Sequence, residues 1–541
     1  MPVVELSYGR LQKMTGRPKK EIAYMLPYLG LDIESEDGDA VRIEYSPNRP
    51  DYSTDYGVAL SLQGMLGVKT GMAKLRIKKS TRFIRAKPAV SKVRPYVTGI
   101  AAVGGRINDA MIKQLMSMQE DLHMGLGRNR VKASVGIHDM DRIAFPITYG
   151  SATRSHRFVP LGSNEEMSVS DILSKTTVGQ EYGYILGNGP RMPLLLDAAD
   201  NTVSLPPVIN AASTTVTTKT KNLFVEVTGL SKGVIENVLA VICVVLQSAG
   251  FSLESVGVSG VRNATPDLGP KKMAVTAELV NQMLGLHLSS QQIVSCLKKS
   301  RLDASVSKSS IECVIPPYRF DIFGPMDLVE EVALGYGIDN LEPALSPSQT
   351  IGSKDPGSVL LGAVSSVMAG LGYMEALNSS LSSAKILYEN MGRDSSAMVS
   401  VLDSKSQEHT VLRDSILPGL LDCLSRNIHE PYPQRLFETG IVFGRNNTIS
   451  ESVHLCSVTS HDGATYTEIK SALQGAVSGV FGSTCATRTT SHHSMTAGRC
   501  AEIIIDGKSC GVIGEVSREV LENFKLREPV SAFEMQIDTD A

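Results

Sequence analysis

The stretch Pro316-Pro317-Tyr318-Arg319-Phe320-Asp321-Ile322, running on to Asp327-Leu328-Val329-Glu330-Glu331-Val332-Ala333-Leu334-Gly335-Tyr336-Gly337, decides how this chain is read. It sets four carboxylates, Asp321, Asp327, Glu330 and Glu331, within eleven residues around a turn from strand to helix. Ile311, Cys313 and Ile315 alternate like the end of a strand, and the two prolines that follow disfavour a helix. From Asp327 the apolar positions Leu328, Val329, Ala333 and Leu334 recur at helical spacing. Hard oxygen donors so placed suit Mg²⁺, which takes a few carboxylates and keeps several waters. The same spacing also describes a capping box, Asp327-x-x-Glu330, whose side chains satisfy free amides of the first turn. Capping leaves Asp321 and Glu331 unexplained, and spacing alone leaves both readings open.

Working outward, the 541 residues suffice for roughly three to five domains at about 100–200 residues each. The hydrophobic and charged fractions are those of a soluble globular protein. No apolar run is long enough for a membrane span, and Met1-Pro2-Val3-Val4-Glu5 lacks the build of a secretory signal. Eight cysteines without C-x-x-C spacing read as reduced residues of a cytoplasmic protein, not as a zinc site or disulfide framework. The pair His492-His493 reads as a loop or strand end. The net charge of −3 does not advertise a nucleic-acid binder. Lys74 to Arg94, however, holds nine basic residues and no acidic one, a run that attracts phosphates or forms a solvated strand face.

Four regions follow from the pattern. Residues 1–73 read as helix, helix, strand and helix, with Gly64, Gly67 and Gly71 at the exit. Residues 74–262 form a large mixed region with helices near Asp109–His123 and Lys232–Ala249 and a strand near Val131–Ile137. Thr265-Pro266-Asp267-Leu268-Gly269-Pro270 marks a boundary, and residues 268–344 read strand, two helices, two strands, helix. After the polar linker Ser346-Pro347-Ser348-Gln349, residues 349–541 open with a helix from Ser358 to Leu371 and continue in strands such as Arg435–Val442 and Ala501–Ile505.

A further candidate site lies in Lys221-Asn222-Leu223-Phe224-Val225-Glu226-Val227-Thr228-Gly229. As a strand it turns Leu223, Val225 and Val227 one way and Phe224, Glu226 and Thr228 the other. Either Glu226 faces solvent, or Phe224, Glu226 and Thr228 form a pocket wall. Asn210, closing Pro206-Pro207-Val208-Ile209-Asn210, is a second pocket candidate, and His138 in Gly136-Ile137-His138-Asp139 a weaker one.

The opening stretch closely resembles the β subunit of phenylalanine–tRNA ligase: an aromatic, Arg, any residue, Asp, then Asp-Leu-x-Glu-Glu and Gly-Tyr. The likeness extends to Ser46-Pro47-Asn48-Arg49-Pro50-Asp51-Tyr52, Phe158-Val159-Pro160-Leu161-Gly162, Leu205 to Asn210, and Val411-Leu412-Arg413-Asp414 through Leu420. It spans essentially the whole chain, and the compact length resembles the archaeal and eukaryotic type. The resemblance implies an α+β multidomain fold: an N-terminal α/β module, a mixed editing domain, a winged, DNA-binding-like helical module, and an antiparallel-sheet domain similar to a class II synthetase. It implies that Asp321, Asp327, Glu330 and Glu331 hold a Mg²⁺ shared with an α subunit that uses ATP, in an (αβ)₂ assembly acting on the tRNA for phenylalanine. It implies that Glu226 recognises the hydroxyl of tyrosine wrongly attached to that tRNA, with Phe224, Thr228 and Asn210 beside it.

The last region reads as catalytically empty. Arg435-Leu436-Phe437-Glu438-Thr439-Gly440 is a faint echo of an ATP-gripping strand, no glycine-rich strand with a terminal arginine follows, and Gly498-Arg499 reads as a turn. The other expectation weighed is a non-catalytic tRNA-binding or assembly scaffold with a degenerate editing pocket. A stand-alone Mg²⁺-dependent phosphohydrolase on the four carboxylates is a remote third.

Overall fold

A computed structural model of the chain describes residues 2–187, 189–259, 266–267, 269–345, 351–402, 404, 406–445 and 448–538. The expected boundary residues Thr265 and Leu268 and the linker Ser346-Pro347-Ser348-Gln349 lie outside the described residues. Two compact units result, Met1–Ala344 and Leu345–Ala541, so the first three expected modules share one unit.

The first unit begins with an antiparallel sheet of Val3–Ser7, Ala40–Glu44 and Asp32–Asp37 under the helices Tyr8–Thr15 and Asp55–Met65. This part is therefore α+β in detail, not α/β. The strand Asp32–Asp37 escapes a pattern reading because it is acidic and almost wholly exposed.

Two larger sheets follow. One runs Ile77–Lys78, Ser252–Ser255, Tyr96–Val103, Leu223–Gly229, Ala133–Asp139; the other runs Ile209–Asn210, Thr202–Leu205, Arg191–Leu196, Ile147–Thr153, Phe83–Ala86, Gly257–Val258. Leu223, Val225 and Val227 pack against the helix Lys232–Ser248, whose run from Val238 to Leu246 is buried throughout. A helix buried on most sides carries such an unbroken apolar run. Tyr318 and Phe320 enter the same core.

The last part of this unit is a three-stranded antiparallel sheet, Lys271–Val275, Ser310–Ile315 and Asp303–Ser307, with the helices Ala277–Leu284, Ser290–Lys299 and Pro325–Tyr336. The element order is the one the pattern predicts.

The second unit is built on seven strands in the order Met374–Glu375, Gln434–Arg445, Ile449–Ser460, Val530–Ile537, Lys508–Val516, Met495–Ile505, Cys485–Thr489. All neighbours are antiparallel except the first pair. Alternate residues serve two cores, as the period of two requires. Leu455, Phe533 and Met535 meet the helices Pro356–Gly370 and Tyr466–Phe481, while Cys456, Val458 and Ala532 meet Leu417–Arg426. Gly498 and Arg499 are not a turn before a strand: they lie inside Met495–Ile505, where the register shifts between Met495 and Cys500. His492-His493 precedes that strand, as expected.

Gly64 shows how close the helices come. A β-carbon there would stand 2.0 Å from the Lys299 carbonyl oxygen. Gly64→Ala is expected to destabilise the first unit by about 1–3 kcal/mol through overpacking. Gly362→Ala, on the helix Pro356–Gly370 with nothing within 4 Å, gains about 0.5–1 kcal/mol from helix propensity. Denaturant midpoints of both variants check the contrast.

Candidate functional site

The strand Leu223–Gly229 is central in its sheet, and all seven of its residues are buried. Its two neighbours place Gly99 and Gly136 directly opposite Glu226. Gly136 makes room for the carboxylate. A β-carbon on Gly136 would lie 2.6 Å from Glu226 Oε1 and 2.6 Å from His138 Nε2. From the second sheet Ser204 Oγ donates to Glu226 Oε1 at 3.0 Å, whereas Oε2 is buried without a partner. Burial pushes the Glu226 carboxyl up to about 7, against the opposing pull of the Ser204 hydrogen bond and the Arg94 charge.

Glu226 opens onto a cavity of about 490 Å³. One wall is a single face of the helix Asp109–Met124, apolar at Ile112, Leu115 and Met116 and polar at Gln119, Glu120 and His123. The opposite wall is Pro206 to Ala211, with Leu161 and Gly162 beside it. Asn210 and Glu226 thus meet in one cavity.

Phe224 and Thr228 do not line it. They share the Glu226 face of the strand, but Phe224 is packed between the sheets, edge-on to Phe145 at 5.5 Å. Thr228 is spent on Arg94, accepting from Nε at 2.9 Å. His138 stands behind the wall, its Nδ1 2.9 Å from Thr214 Oγ1, and burial pulls its ring down to about 3, so it is neutral.

Ser204, Gly136, Gln119, Glu120, His123 and Arg130 were not legible as site residues. Gln119 and His123 occupy the free edge of the strand Ala133–Asp139: Gln119 Nε2 donates to the Val135 carbonyl at 3.1 Å, and Val135 N–H donates to His123 Nε2 at 2.9 Å. Arg130 ties the helix to the opposite wall, donating to Glu120 at 2.9 Å and to the Val208 carbonyl at 3.1 Å. Burial raises the Glu120 carboxyl, but the His123 ring beside it and the Arg130 guanidinium outweigh it and bring it to about 2. The helical spacing of Ile112, Leu115, Met116, Gln119 and His123 was the available signal.

The four carboxylates of the opening stretch are placed differently from the expectation of four converging ligands. Arg319, almost fully buried, donates to Asp321 through Nε at 2.9 Å and Nη2 at 2.8 Å, and it also pairs with Glu331. Asp327 Oδ2 accepts the N–H groups of Phe323 and Gly324 at 2.7 and 2.8 Å. The helix starts at Pro325, where a fixed φ suits the first turn, so Asp327 caps from its third position and does not begin the box.

Glu330 is exposed, and its carboxyl is raised by partial burial and then by Glu331, Asp327 and Asp321. Among the described residues no three His, Cys, Asp or Glu side chains are arranged to hold a metal ion. The donors are chemically right for Mg²⁺ and carry excess negative charge, but a guanidinium and two amides already occupy three of them. They fit the ion only as a partial set.

Residues 342–537 match the family model for the phenylalanyl tRNA synthetase beta chain CLM domain, and residues 273–338 match the tRNA synthetase B5 domain. A phenylalanine–tRNA ligase beta subunit from Archaeoglobus fulgidus is 38% identical, the alignment covering 99% of this chain and 98% of that protein. The chain belongs to the phenylalanine–tRNA ligase β subunits. One from Methanosarcina acetivorans is 36% identical over 99% of both proteins. A crystal structure of an N-terminal fragment of the Pyrococcus horikoshii β subunit is similar with a TM-score of 0.59 and 31% identity, covering 62% of this chain and 99% of the fragment. Membership in this family makes the chain an aminoacyl-tRNA ligase subunit. No helix among the described residues is long and apolar enough to cross a membrane.

The raised Glu226 carboxyl has a direct consequence for stability. Folded protein keeps that proton up to about pH 7, whereas the unfolded chain releases it in the ordinary carboxylate range. Stability is therefore fully present at acid pH and falls as pH rises through that window, by about 3–4 kcal/mol. Glu226→Gln is expected to remove this fall. Denaturant midpoints of both proteins between pH 4.5 and 7.5 check it.

Proposed function

We propose that this β subunit hydrolyses tyrosine wrongly esterified to the tRNA for phenylalanine in the cavity beside Glu226, and supports phenylalanine attachment in a partner α subunit. The observation that carries the editing reading is Glu226 Oε2, a buried carboxylate oxygen without a partner at the cavity. A buried acceptor in that state costs free energy, and a phenolic hydroxyl entering the cavity satisfies it. Phenylalanine has no such group and leaves the oxygen bare. A site built to bond a substrate hydroxyl rejects the analogue lacking it by about 10⁴–10⁵. The apolar positions Ile112, Leu115, Pro206 and Val208 take the ring, and the Gln119–His123 end receives the polar part of the ester. Water positioned there attacks the ester carbonyl, and the bond to the terminal ribose oxygen breaks, so that tyrosine leaves and the tRNA regains its hydroxyl.

Glu226→Ala separates editing from the scaffold reading. Deacylation of Tyr-tRNA is expected to fall about 10- to 100-fold, the worth of one hydrogen bond to a charged group, with phenylalanine charging intact. Unchanged deacylation ends the role of Glu226.

The proposal places amino-acid activation, and the ATP it uses, in the α subunit. Arg435, the echo of an ATP-binding arginine, is paired with Glu468 at 2.9 Å, and both faces of the surrounding sheet are packed with side chains. Mg²⁺ belongs to the proposal as an ion shared with the α subunit. Glu330 would hold it, with Asp321, Asp327 and Glu331 close by, and the ion would supply neutralisation of their charge.

The α subunit is assigned to the outer edge of the second unit's sheet. There the short edge strand Met374–Glu375 and its flanks expose Met374 at 70% and Leu377 at 91%. Apolar side chains at a sheet edge are the mark of a covered surface. Met374→Asp with Leu377→Asp is expected to weaken the αβ complex by about 30-fold or more, the loss of one hot spot. Analytical ultracentrifugation over a dilution series reads that loss.

A further inference from the structure

The basic run between Lys74 and Arg94 is not used by the cavity. Two of its members are structural: Arg94 is buried behind the pocket strand, and Arg82 pairs with Glu254. Lys74, Arg76, Lys78, Lys79, Arg85 and Lys87 are exposed, and among the described residues none of them has a carboxylate partner. Leu75 and Ile77 turn inward against the core, whereas Lys74, Arg76 and Lys78, which alternate with them, are exposed.

The strip passes from the edge strand Ile77–Lys78 of one sheet to Phe83–Ala86 of the other. Phe83 is exposed within it, and the Arg85 guanidinium lies 5.8 Å from the centre of the Phe83 ring.

We infer that this strip is an RNA-backbone-binding surface that holds the tRNA independently of the cavity. A row of unpaired cations matches a polyanion better than a single acidic group, and such contacts are insensitive to sequence. The exposed Phe83 ring beside the row suits an unstacked base. An acidic protein segment would satisfy the charge but has no use for the ring.

The test uses the assembled αβ complex. Lys74→Gln, Arg76→Gln, Lys78→Gln and Lys79→Gln are combined, and tRNA affinity is measured from low to high salt with the cognate tRNA and with an unrelated one. The magnitude of the slope of log affinity against log salt is expected to fall by about 0.7–0.9 per lost phosphate contact, about 3 in all, equally for both tRNAs. The Michaelis constant for tRNA in charging rises while kcat holds. A matched variant at exposed lysines of the second unit, Lys354, Lys385, Lys508 and Lys525 each changed to Gln, keeps the wild-type slope. An unchanged slope in the strip variant overturns the inference, as does an equal fall in the matched variant. Loss of αβ assembly on changing the strip also overturns it and gives the surface to a protein partner.

Discussion

Everything at the cavity depends on one constraint: a carboxylate carried on a strand with both faces covered. Leu223, Val225 and Val227 commit one face of Leu223–Gly229 to the long helix. The other face lies against the second sheet, where its three residues are handled in different ways. Phe224 is simply packed, and Thr228 is consumed by Arg94. Glu226 receives one hydrogen bond where its two oxygens accept several. Gly136 supplies the space and Ser204 the single donor, so the carboxylate is held but not satisfied. Its upward shift comes from burial, which the Ser204 hydrogen bond and the Arg94 charge do not offset. Arg94 cannot correct it, because its own donors go to Thr228, Ser134 and the carbonyls of Arg130 and Val131.

A second buried charge cluster joins the two most distinctive sequence motifs. Arg319 grips Asp321 and Glu331, while Arg49 grips Asp51 at 2.8 Å and lies over the Tyr52 ring. The two guanidiniums feel each other's charge, and Arg49 helps hold the Asp321 carboxyl below its usual range, after Arg319 has overcome the effect of burial. Such clusters are poor evidence for net stability, since desolvation offsets attraction, but removing one member leaves an unpaired buried charge. The arrangement explains why the motif pairs arginine with carboxylates so closely. It also sets the condition for a metal: an ion competing for Asp321 or Glu331 must displace a guanidinium already bonded to both.

Local pattern carried the reading as far as local physics reaches. Helices such as Asp109–Met124 and Lys232–Ser248 were legible because an apolar period of about 3.6 needs no knowledge of the partner. The parity of Leu223–Gly229 was legible for the same reason. What covers each face was not, and that is why Phe224 and Thr228 were placed at the cavity alongside Glu226. Ser204 reaches Glu226 across 22 positions, and Arg94 reaches Thr228 across 134. No spacing rule encodes such contacts. The start of the helix at Pro325 was missed because an acidic residue at the third position and one at the cap leave the same trace in the sequence.

Glu226 contrasts with the buried carboxylates of the second unit. In the second unit Glu438 is bonded by Arg413 and by Asn378 Nδ2 at 2.7 Å, and Glu534 by Ser415, His454 and two backbone amides. Burial raises the Glu534 carboxyl, but those bonds outweigh it and the group is held below its usual range. Charges so fully paired have no capacity left for a reacting group, since preorganised stabilisation requires donors and acceptors waiting for charge that develops later. At Glu226 the pairing stops one oxygen short, and the incomplete place opens on a cavity. A sheet that satisfies its carboxylates is a support. One that leaves Glu226 half satisfied beside a cavity with an apolar wall has the asymmetry that discrimination by a single hydroxyl demands.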